Sequence, residues 1–490
     1  MVRKLQSILR DSKTARWVVL LCLAIPMFAS YLFDDIFSTV SQIFDNPALL
    51  ELGWNSADYG VYGGAYSLLC VWGGLIICGM LLDKWGVRFT GTLFVGLMVG
   101  GSIIVTYALS PVFSGSAVAN FIQSLGFAKP SLALATAGCA IFGLGSEIAG
   151  VAVTKSIAKW FKGKEMALAM GLQLSLARLG TATALIIAPL AIITKDAEFI
   201  PLSTSNNMAE IGLFLMIFAV VTWVVFISFD KKLDNQDAEA AVLNNTKKSD
   251  DDKFKFSDIG KILTNKNFIL IALLCVFFYC CIISFKRFAS SIAIPRFGID
   301  DSLASIMVSL LAFSPIIFTP LFGSIVDYKG KATRWMILGS FLVLFAHLII
   351  TFAPQHVVFG FLGFFVLGIG YSLVPAAMWQ SVPKIIPENK LGTAYSLIYW
   401  VQNMGMLLVP IIIGGILTPE PKLMRLKIND GYIGLLNKNI NIEEKLSRAM
   451  TAEFVFIGLA CVAIIVAFML RTSSKNSPEL KLDEPNKVKK

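Results

Sequence analysis

Two ionisable side chains deep inside long apolar runs are the groups in this sequence that most need a chemical explanation. Glu147 stands in the run 131–158 and Arg178 in the run 165–193. If these runs cross a bilayer, an ionised group at mid-membrane costs roughly 2.5–3.5 kcal/mol on insertion scales, so such residues are rare and mostly functional. Arg178 lies ~21 Å along its helix from Lys164, and Glu147 ~20 Å from the end near Trp160. At that depth neither head group reaches the interface by snorkelling. Two arrangements fit. The pair can brace two helices as an internal salt bridge. Alternatively both face an internal cavity, where Arg178 can take a carboxylate and Glu147 an amine. The two coexist if the pair closes when empty and opens around a ligand.

Other polar groups sit at helical spacing. Tyr62 and Tyr66 are one turn apart, Tyr395, Tyr399, Gln402 and Asn403 follow one another along one run, and Trp379 and Gln380 are neighbours in another. Tyrosine and amide groups can bond a ligand backbone without selecting a side chain; taken singly, each equally suits core packing or contact between helices. Asp34 and Asp35 stand at the end of the first run, and Lys286 and Arg287 towards the same end of the seventh, as ion-pair partners or interfacial anchors. Adjacent helical positions diverge by about 100°, so one of the two aspartates is expected to face inward.

Enzyme chemistry has no foothold. There is no phosphate-binding P-loop, no H-E-x-x-H helix and no G-x-S-x-G elbow. The histidines number two, His347 and His356, too few for a histidine-rich metal site, and no cofactor is expected. The eight cysteines show no paired or metal-type spacing and read as small buried hydrophobes.

These residues need membrane helices to position them. Of 490 residues, 56% are hydrophobic and 15% charged, against roughly 25% charged in soluble domains. The net charge of +10 does not indicate nucleic acid, because the basic residues sit in short clusters between apolar runs. Runs of about 20 apolar residues fall near 16–41, 57–82, 89–110, 131–158, 165–193, 209–229, 267–294, 302–326, 334–353, 356–383, 391–418 and 451–471. The expected organisation is a six-helix bundle over 1–229, a polar linker over 230–264, a second six-helix bundle over 265–472 and a disordered tail over 473–490. Lysine and arginine cluster at the N-terminus and after the second, fourth, eighth and tenth runs, which places both termini in the cytoplasm. The first run is too long for a signal peptide and lacks a cleavage site. Pro315, Pro320, Pro375, Pro383 and Pro410 are expected to kink their helices.

One repeat ties the halves together. Gly79-Met80-Leu81-Leu82-Asp83-Lys84-Trp85-Gly86-Val87-Arg88 follows the second run, and Gly323-Ser324-Ile325-Val326-Asp327-Tyr328-Lys329-Gly330-Lys331 follows the eighth. Both read G-x-x-x-D-x-x-G with a basic residue behind, 323 − 79 = 244 residues apart. The glycines allow a tight turn and close helix approach. Gly79, Asp83 and Arg88, with Gly323, Asp327 and Lys331, are the candidates for controlling conformation.

Twelve runs, a central linker and this repeated loop resemble the major facilitator superfamily over the whole chain. The resemblance implies two pseudo-symmetric six-helix bundles around a cavity that opens alternately to each side. A narrower likeness rests on three stretches: Gly143-Leu144-Gly145-Ser146-Glu147 with Trp160-Phe161-Lys162-Gly163-Lys164-Glu165, then Gly171 to Gly180, and Pro387-Glu388-Asn389-Lys390-Leu391-Gly392-Thr393-Ala394-Tyr395 with Gln402-Asn403-Met404-Gly405. These resemble the branch of the animal lysosomal dipeptide uniporter. The likeness implies that Glu147 and Arg178 bind a dipeptide. It also makes the first and seventh helices symmetry mates, so that Asp34 or Asp35 would meet Lys286 and Arg287 across a cavity mouth. The first run departs from the branch: Ser30-Tyr31 precedes Asp34-Asp35, while Asp45-Asn46-Pro47-Ala48 follows ten residues later, leaving the equivalent aspartate open. The alternative substrate is an organic anion drawn by Arg178, Lys286 and Arg287. No acidic dileucine-type signal precedes the first run, so a bacterial inner membrane is expected rather than a lysosome. A monomer in lipid is expected; coupling to protons is left open.

Overall fold

The computed structural model describes residues 9–38, 54–161, 166–187, 194–195, 198–199, 201–243, 260, 262–386, 391–418, 433–476 and 482–484. Asp45 to Ala48, Lys162 to Glu165, Asp250 to Asp252 and Pro387 to Lys390 lie outside them, as do the side chains of Asp83 and Asp327.

The chain is helical almost throughout. Among the described residues the extended backbone is one two-residue antiparallel pair, Thr194–Lys195 with Glu198–Phe199. Eleven helices are long and apolar enough to cross a membrane, and a shorter apolar helix, Gly171–Ile187, makes a twelfth. In chain order the helices are α1 (Lys13–Asp35), α2 (Ser56–Gly79), α3 (Trp85–Leu109), α4 (Pro130–Trp160), α5 (Met166–Ile187) and α6 (Pro201–Leu243). The second six are α7 (Lys266–Phe297), α8 (Asp301–Lys329), α9 (Ala332–Phe352), α10 (Val357–Ile385), α11 (Leu391–Leu417) and α12 (Ile433–Asn476). Residues 230–243, read from sequence as the start of the linker, continue α6 as helix. Likewise α12 begins well before the apolar run at 451–471. Within the expected tail, Leu482 to Glu484 pack on the end of the second bundle: the Lys331 N–H donates to the Asp483 carbonyl (2.7 Å), and the Asp483 carboxylate accepts from the Thr333 N–H (2.9 Å).

Helix ends follow local capping chemistry. Asn55 and Asp58 form a reciprocal capping box at the start of α2, and the Asp300 carboxylate accepts from the Leu303 N–H at the start of α8. The last glycine of each repeated motif takes a positive φ where the next helix begins, Gly86 in the first turn of α3 at 79° and Gly330 just before α9 at 63°. A side chain is disfavoured at both positions, and they are again 330 − 86 = 244 residues apart.

Helix packing repeats with the sequence. In the first half α1 lies on α5 and α6, and α3 on α4 and α6. In the second, α7 lies on α11 and α12, and α9 on α10 and α12, so each pair recurs six helices later. The halves meet through α2 against α11 and α5 against α8, two contacts that the same six-helix shift interchanges. Large apolar side chains such as Leu21, Ile77, Phe214, Phe345 and Phe468 point outward. Lipid on that surface makes their exposure cheap. With lipid outside, tight packing and small residues must hold the helices together. At α2–α11 a Cβ on Gly60 would stand 2.4 Å from the Pro410 carbonyl oxygen, and one on Gly64 2.5 Å from that of Leu407.

Departures from α geometry inside the membrane-crossing helices include two π turns, Cys70–Gly74 in α2 and Cys280–Ser284 in α7, and the 3-10 turn Trp379–Ser381 in α10. Neither π turn contains proline; the 3-10 turn lies between Pro375 and Pro383. In α2 the break at Trp72 and Gly73 is met from across the interface, where the Trp400 indole N–H donates to the Val71 carbonyl (2.8 Å).

The α2–α11 approach generates a test. Gly64→Ala should push the helices apart at the end remote from the termini, lengthening spin-label distances across it. Gly96→Ala, at a position with nothing within 4 Å of the added Cβ, should leave them unchanged. Equal distances in wild type and Gly64→Ala would show that this contact does not set the closure.

Candidate substrate-binding site

Four charges meet where α1 and α7 approach each other. Arg287 Nη2 lies 2.6 Å from Asp34 Oδ1, and Lys286 Nζ lies 2.6 Å from the Asp35 carboxylate. Both aspartates are therefore engaged, which corrects the expectation that one would face inward. The reason is that the two cations are also adjacent residues and diverge on α7 as the aspartates do on α1. The two pairs straddle the line of contact. Thr181 of α5 donates to Asp35 Oδ2 (2.6 Å), and Ser290 donates to the Ser38 carbonyl (3.1 Å). Gly63 of α2 leaves room for Arg287, whose Cδ would lie 3.1 Å from a Cβ there. Around the pairs, Tyr62 packs on Phe37, Trp54 and Tyr59, and Tyr59 meets Phe288 edge-on at 5.4 Å. Tyr62 thus belongs to this buried plug. Asp35, Arg287, Tyr59 and Tyr62 are all buried. Together with the glycine contact of α2 and α11, the plug shuts the molecule at the end remote from its termini.

Below the plug, towards the terminal side, polar residues at mid-helix are partly solvent-exposed, as a cavity between the halves requires. On the first half's wall, Tyr66 of α2 donates to Glu147 (3.2 Å) and lies 3.0 Å from the Ser146 hydroxyl, which contacts that of Ser30 at 2.5 Å. The Glu147 carboxylate is held there by the Tyr66 phenol. Arg178 of α5 reaches across to the second half and lies over the Tyr371 ring of α10, 4.7 Å from its centroid. Tyr31 of α1 is within electrostatic reach of both charges, and Tyr399 within reach of Glu147.

The second half supplies an aromatic wall. Tyr371 meets Tyr279 of α7 edge-on at 6.2 Å, and the Trp379 indole N–H donates to the Tyr279 hydroxyl (3.1 Å). Tyr395 and Tyr399 of α11 pack on Trp379 at 5.7 and 5.3 Å. Tyr66, Trp379, Tyr395 and Tyr399 are accordingly brought to one region with Glu147 and Arg178. Gln402 and Asn403 are not. Gln402 accepts from the Cys275 thiol at 3.2 Å, and the Asn403 amide bonds back to the Tyr399 carbonyl at 2.9 Å. Both are buried in helix packing, because at that level α11 presses on α7.

Among the described residues no ion pair joins Glu147 to Arg178, and no carboxylate lies within ion-pair distance of Arg178. The internal salt bridge is thus not formed in this conformation. Arg178 also bonds the Tyr371 side chain, and a guanidinium with five N–H donors keeps others for a carboxylate. A carboxylate held by one phenol keeps lone pairs for an ammonium.

The charged motif residues Arg88 and Lys331 are engaged at the helix ends. Arg88 pairs with Asp234 at 2.9 Å and approaches Asp230 at 3.8 Å; Lys159 and Trp160 also bond Asp230, at 2.8 and 2.9 Å. Lys331 is exposed, with φ of 59°. Gly79 faces Ser396 of α11 across the interface between the halves, and Gly323 faces Gln380 of α10 within the second bundle, each with room to spare, 3.8 and 3.6 Å from a built Cβ. A cavity of about 470 Å³ lies elsewhere, between Pro295, Phe297, Leu417 and Lys445; among the described residues of its wall no acidic side chain could take an amine.

Sequence reasoning passed over Ser30, Tyr31, Ser146, Thr181, Tyr279 and Tyr371 as site residues. Ser146 adjoins Glu147 and could have been found by position. Tyr279 and Tyr371 are single tyrosines in apolar runs, and nothing local distinguishes them from core.

A family profile described as the Major Facilitator Superfamily matches residues 19–410 and 281–489. The chain is 27% identical over 416 residues to the lysosomal dipeptide transporter MFSD1 of Homo sapiens, covering 82% of this chain and 80% of that protein. It is 28% identical over 391 residues to the protein of the same name from Danio rerio, covering 76% and 77%. Among solved structures, a bacterial homologue of the human lysosomal transporter Spinster, inward-facing and occupied, superposes with a TM-score of 0.64 at 14% identity over 94% of this chain and 98% of that one. A D-xylose–proton symporter superposes with a TM-score of 0.64 at 12% identity over 93% and 97%. At these identities the structures speak for the fold alone. Twelve paired helices, the matched loops and the profile lead to one conclusion: the chain belongs to the Major Facilitator Superfamily and is an integral membrane transporter, not an enzyme.

Proposed function

We propose that this transporter carries dipeptides by alternating access, with Arg178 holding the peptide carboxylate and Glu147 its amino group. This reading rests on the deep Arg178, without an acidic partner among the described residues, and on a carboxylate held by a single phenol, both within electrostatic reach of Tyr31. A zwitterion neutralises both at once. The tyrosine and tryptophan wall would accept a range of side chains by apolar contact. The resemblance to the relatives named for dipeptide transport supports the same substrate class. A dicarboxylate is served less well, since Lys286 and Arg287 already have partners and only Arg178 remains to meet two negative charges.

The excess of lysine and arginine on the terminal side supports cytoplasmic termini, and in that orientation the plug seals the external side. Asp83 and Asp327, in the repeated loops, are proposed to set the balance of conformations rather than to touch substrate.

Dipeptides should stabilise the purified protein, by about 2.7 kcal/mol at 100 times the dissociation constant, and dicarboxylates should not. Stabilisation by dicarboxylates alone would make the carrier one of organic anions. Arg178→Ala and Glu147→Gln should fold normally and lose the dipeptide response. Arg178→Lys, which keeps the charge and loses the two-pronged grip, should bind weakly.

The plug makes a separate prediction. Asp34→Asn or Arg287→Gln strands a buried partner, at a cost to the closed state of about 3–5 kcal/mol. Each should open the end remote from the termini, read as faster labelling of introduced cysteines there. Neutralising both together should restore part of the closure. Labelling rates unchanged in every variant would show that these pairs do not hold that end shut.

A further inference from the structure

A second titratable cluster lies wholly within the second bundle, away from the cavity. His347 of α9 is fully buried. Its Nδ1 is 2.8 Å from Oε2 of Glu453 on α12, also buried, and its Nε2 is 3.3 Å from the carbonyl oxygen of Cys281 on α7. Phe456 stacks on the ring at 5.4 Å and Phe285 meets it edge-on at 5.1 Å. The second Glu453 oxygen, Oε1, is buried and has no hydrogen-bond partner among the described residues.

The count of protons in this arrangement is constrained. A carbonyl oxygen only accepts, and an ionised carboxylate only accepts. Both ring nitrogens therefore face oxygen lone pairs. A neutral imidazole carries one N–H, so with Glu453 ionised one nitrogen would meet an oxygen lone pair to lone pair. The contacts are satisfied when the pair holds one further proton, shared between Nδ1 and Oε2, while the Nε2 N–H donates to Cys281. Buried polar groups left unpaired in a low-dielectric setting are costly. Loss of that proton would thus break one of the two contacts.

The contact to Cys281 falls inside the π turn Cys280–Ser284. Lys286 and Arg287, the cations of the plug, come two and three residues after that turn. We propose that His347 and Glu453 form a proton-binding site, distinct from the Glu147–Arg178 site, whose occupancy fixes the α7 turn that presents Lys286 and Arg287 to α1. Other titratable groups facing it are few. On α7, Arg296 lies within electrostatic reach of Glu453 while donating to the Ile350 and Thr351 carbonyls at 2.8 and 3.1 Å. Among the described residues the Cys280 and Cys281 thiols of α7 and the Cys461 thiol of α12 are the others; α10 offers the apolar Phe364 against Phe285.

The test uses apo protein in nanodiscs, so it does not depend on the identity of the transported solute. Melting temperatures of wild type and His347→Gln are compared between about pH 5 and 9, which brackets the ordinary titration of histidine. In parallel, alkylation of Cys281 is followed by peptide mass spectrometry as a reporter of the turn. The ratio of wild-type to variant alkylation rates should rise several-fold with pH, because deprotonation frees the turn in wild type and the amide cannot deprotonate. The melting-temperature difference between the two should change over the same range. Parallel melting profiles with a constant alkylation ratio would overturn the proposal. If His347→Gln does not fold, Glu453→Gln takes its place with the same expected and contrary outcomes.

Discussion

A charge placed in the interior of a membrane must find an opposite charge or a ring of dipoles, and that requirement organises this molecule. At the α1–α7 crossing it is met internally, Asp34 with Arg287 and Asp35 with Lys286. These pairs join the two halves and draw the aromatic plug of Tyr59, Tyr62 and Phe288 around them. Removing either partner leaves an uncompensated buried charge, so the closed end is favoured as long as both are present. At Glu147 and Arg178 the requirement is left unmet within the described chain. One carboxylate rests on a phenol and one guanidinium on an aromatic face. The difference between the two places sets the paired charges of the plug apart from the candidate binding site.

The helix framework serves this arrangement. The small residues of α2 and α11 bring backbones close enough for the halves to touch at the closed end, while α5 and α8 form the symmetric contact. Because α5 also carries Thr181, which bonds Asp35 three residues after Arg178, the candidate site and the plug share a helix. A ligand that draws Arg178 towards Glu147 would act on the same element that steadies Asp35. That is a physical route from occupancy to closure, and it needs no part to deform beyond small helix shifts.

Much of this was legible in the sequence. The twelve apolar runs, the repeated loop and the two deep charges follow from hydropathy and spacing, and the glycine turns at Gly86 and Gly330 recur at the offset of the motif. What could not be read were features set by tertiary contact. Both Asp34 and Asp35 find cations because α7 presents an adjacent pair, which no rule about α1 alone contains. Gln402 and Asn403 look like ligand-binding amides along α11, yet the rotation of that helix against α7 buries them. The π turns in α2 and α7 contain no proline, and their freed carbonyls are met by Trp400 and His347 from distant helices. Tyr279 and Tyr371 carry no local signal at all.

Glu147 and Arg178 are proposed to take one end each of a zwitterion. Uptake into proteoliposomes of one radiolabelled dipeptide, beside its N-acetylated and its C-amidated forms, tests it most directly. The free dipeptide should be transported and each blocked form transported far less, since each leaves one charge of the proposed site unmatched. Undiminished transport of the C-amidated form would contradict the role of Arg178, and undiminished transport of the N-acetylated form that of Glu147.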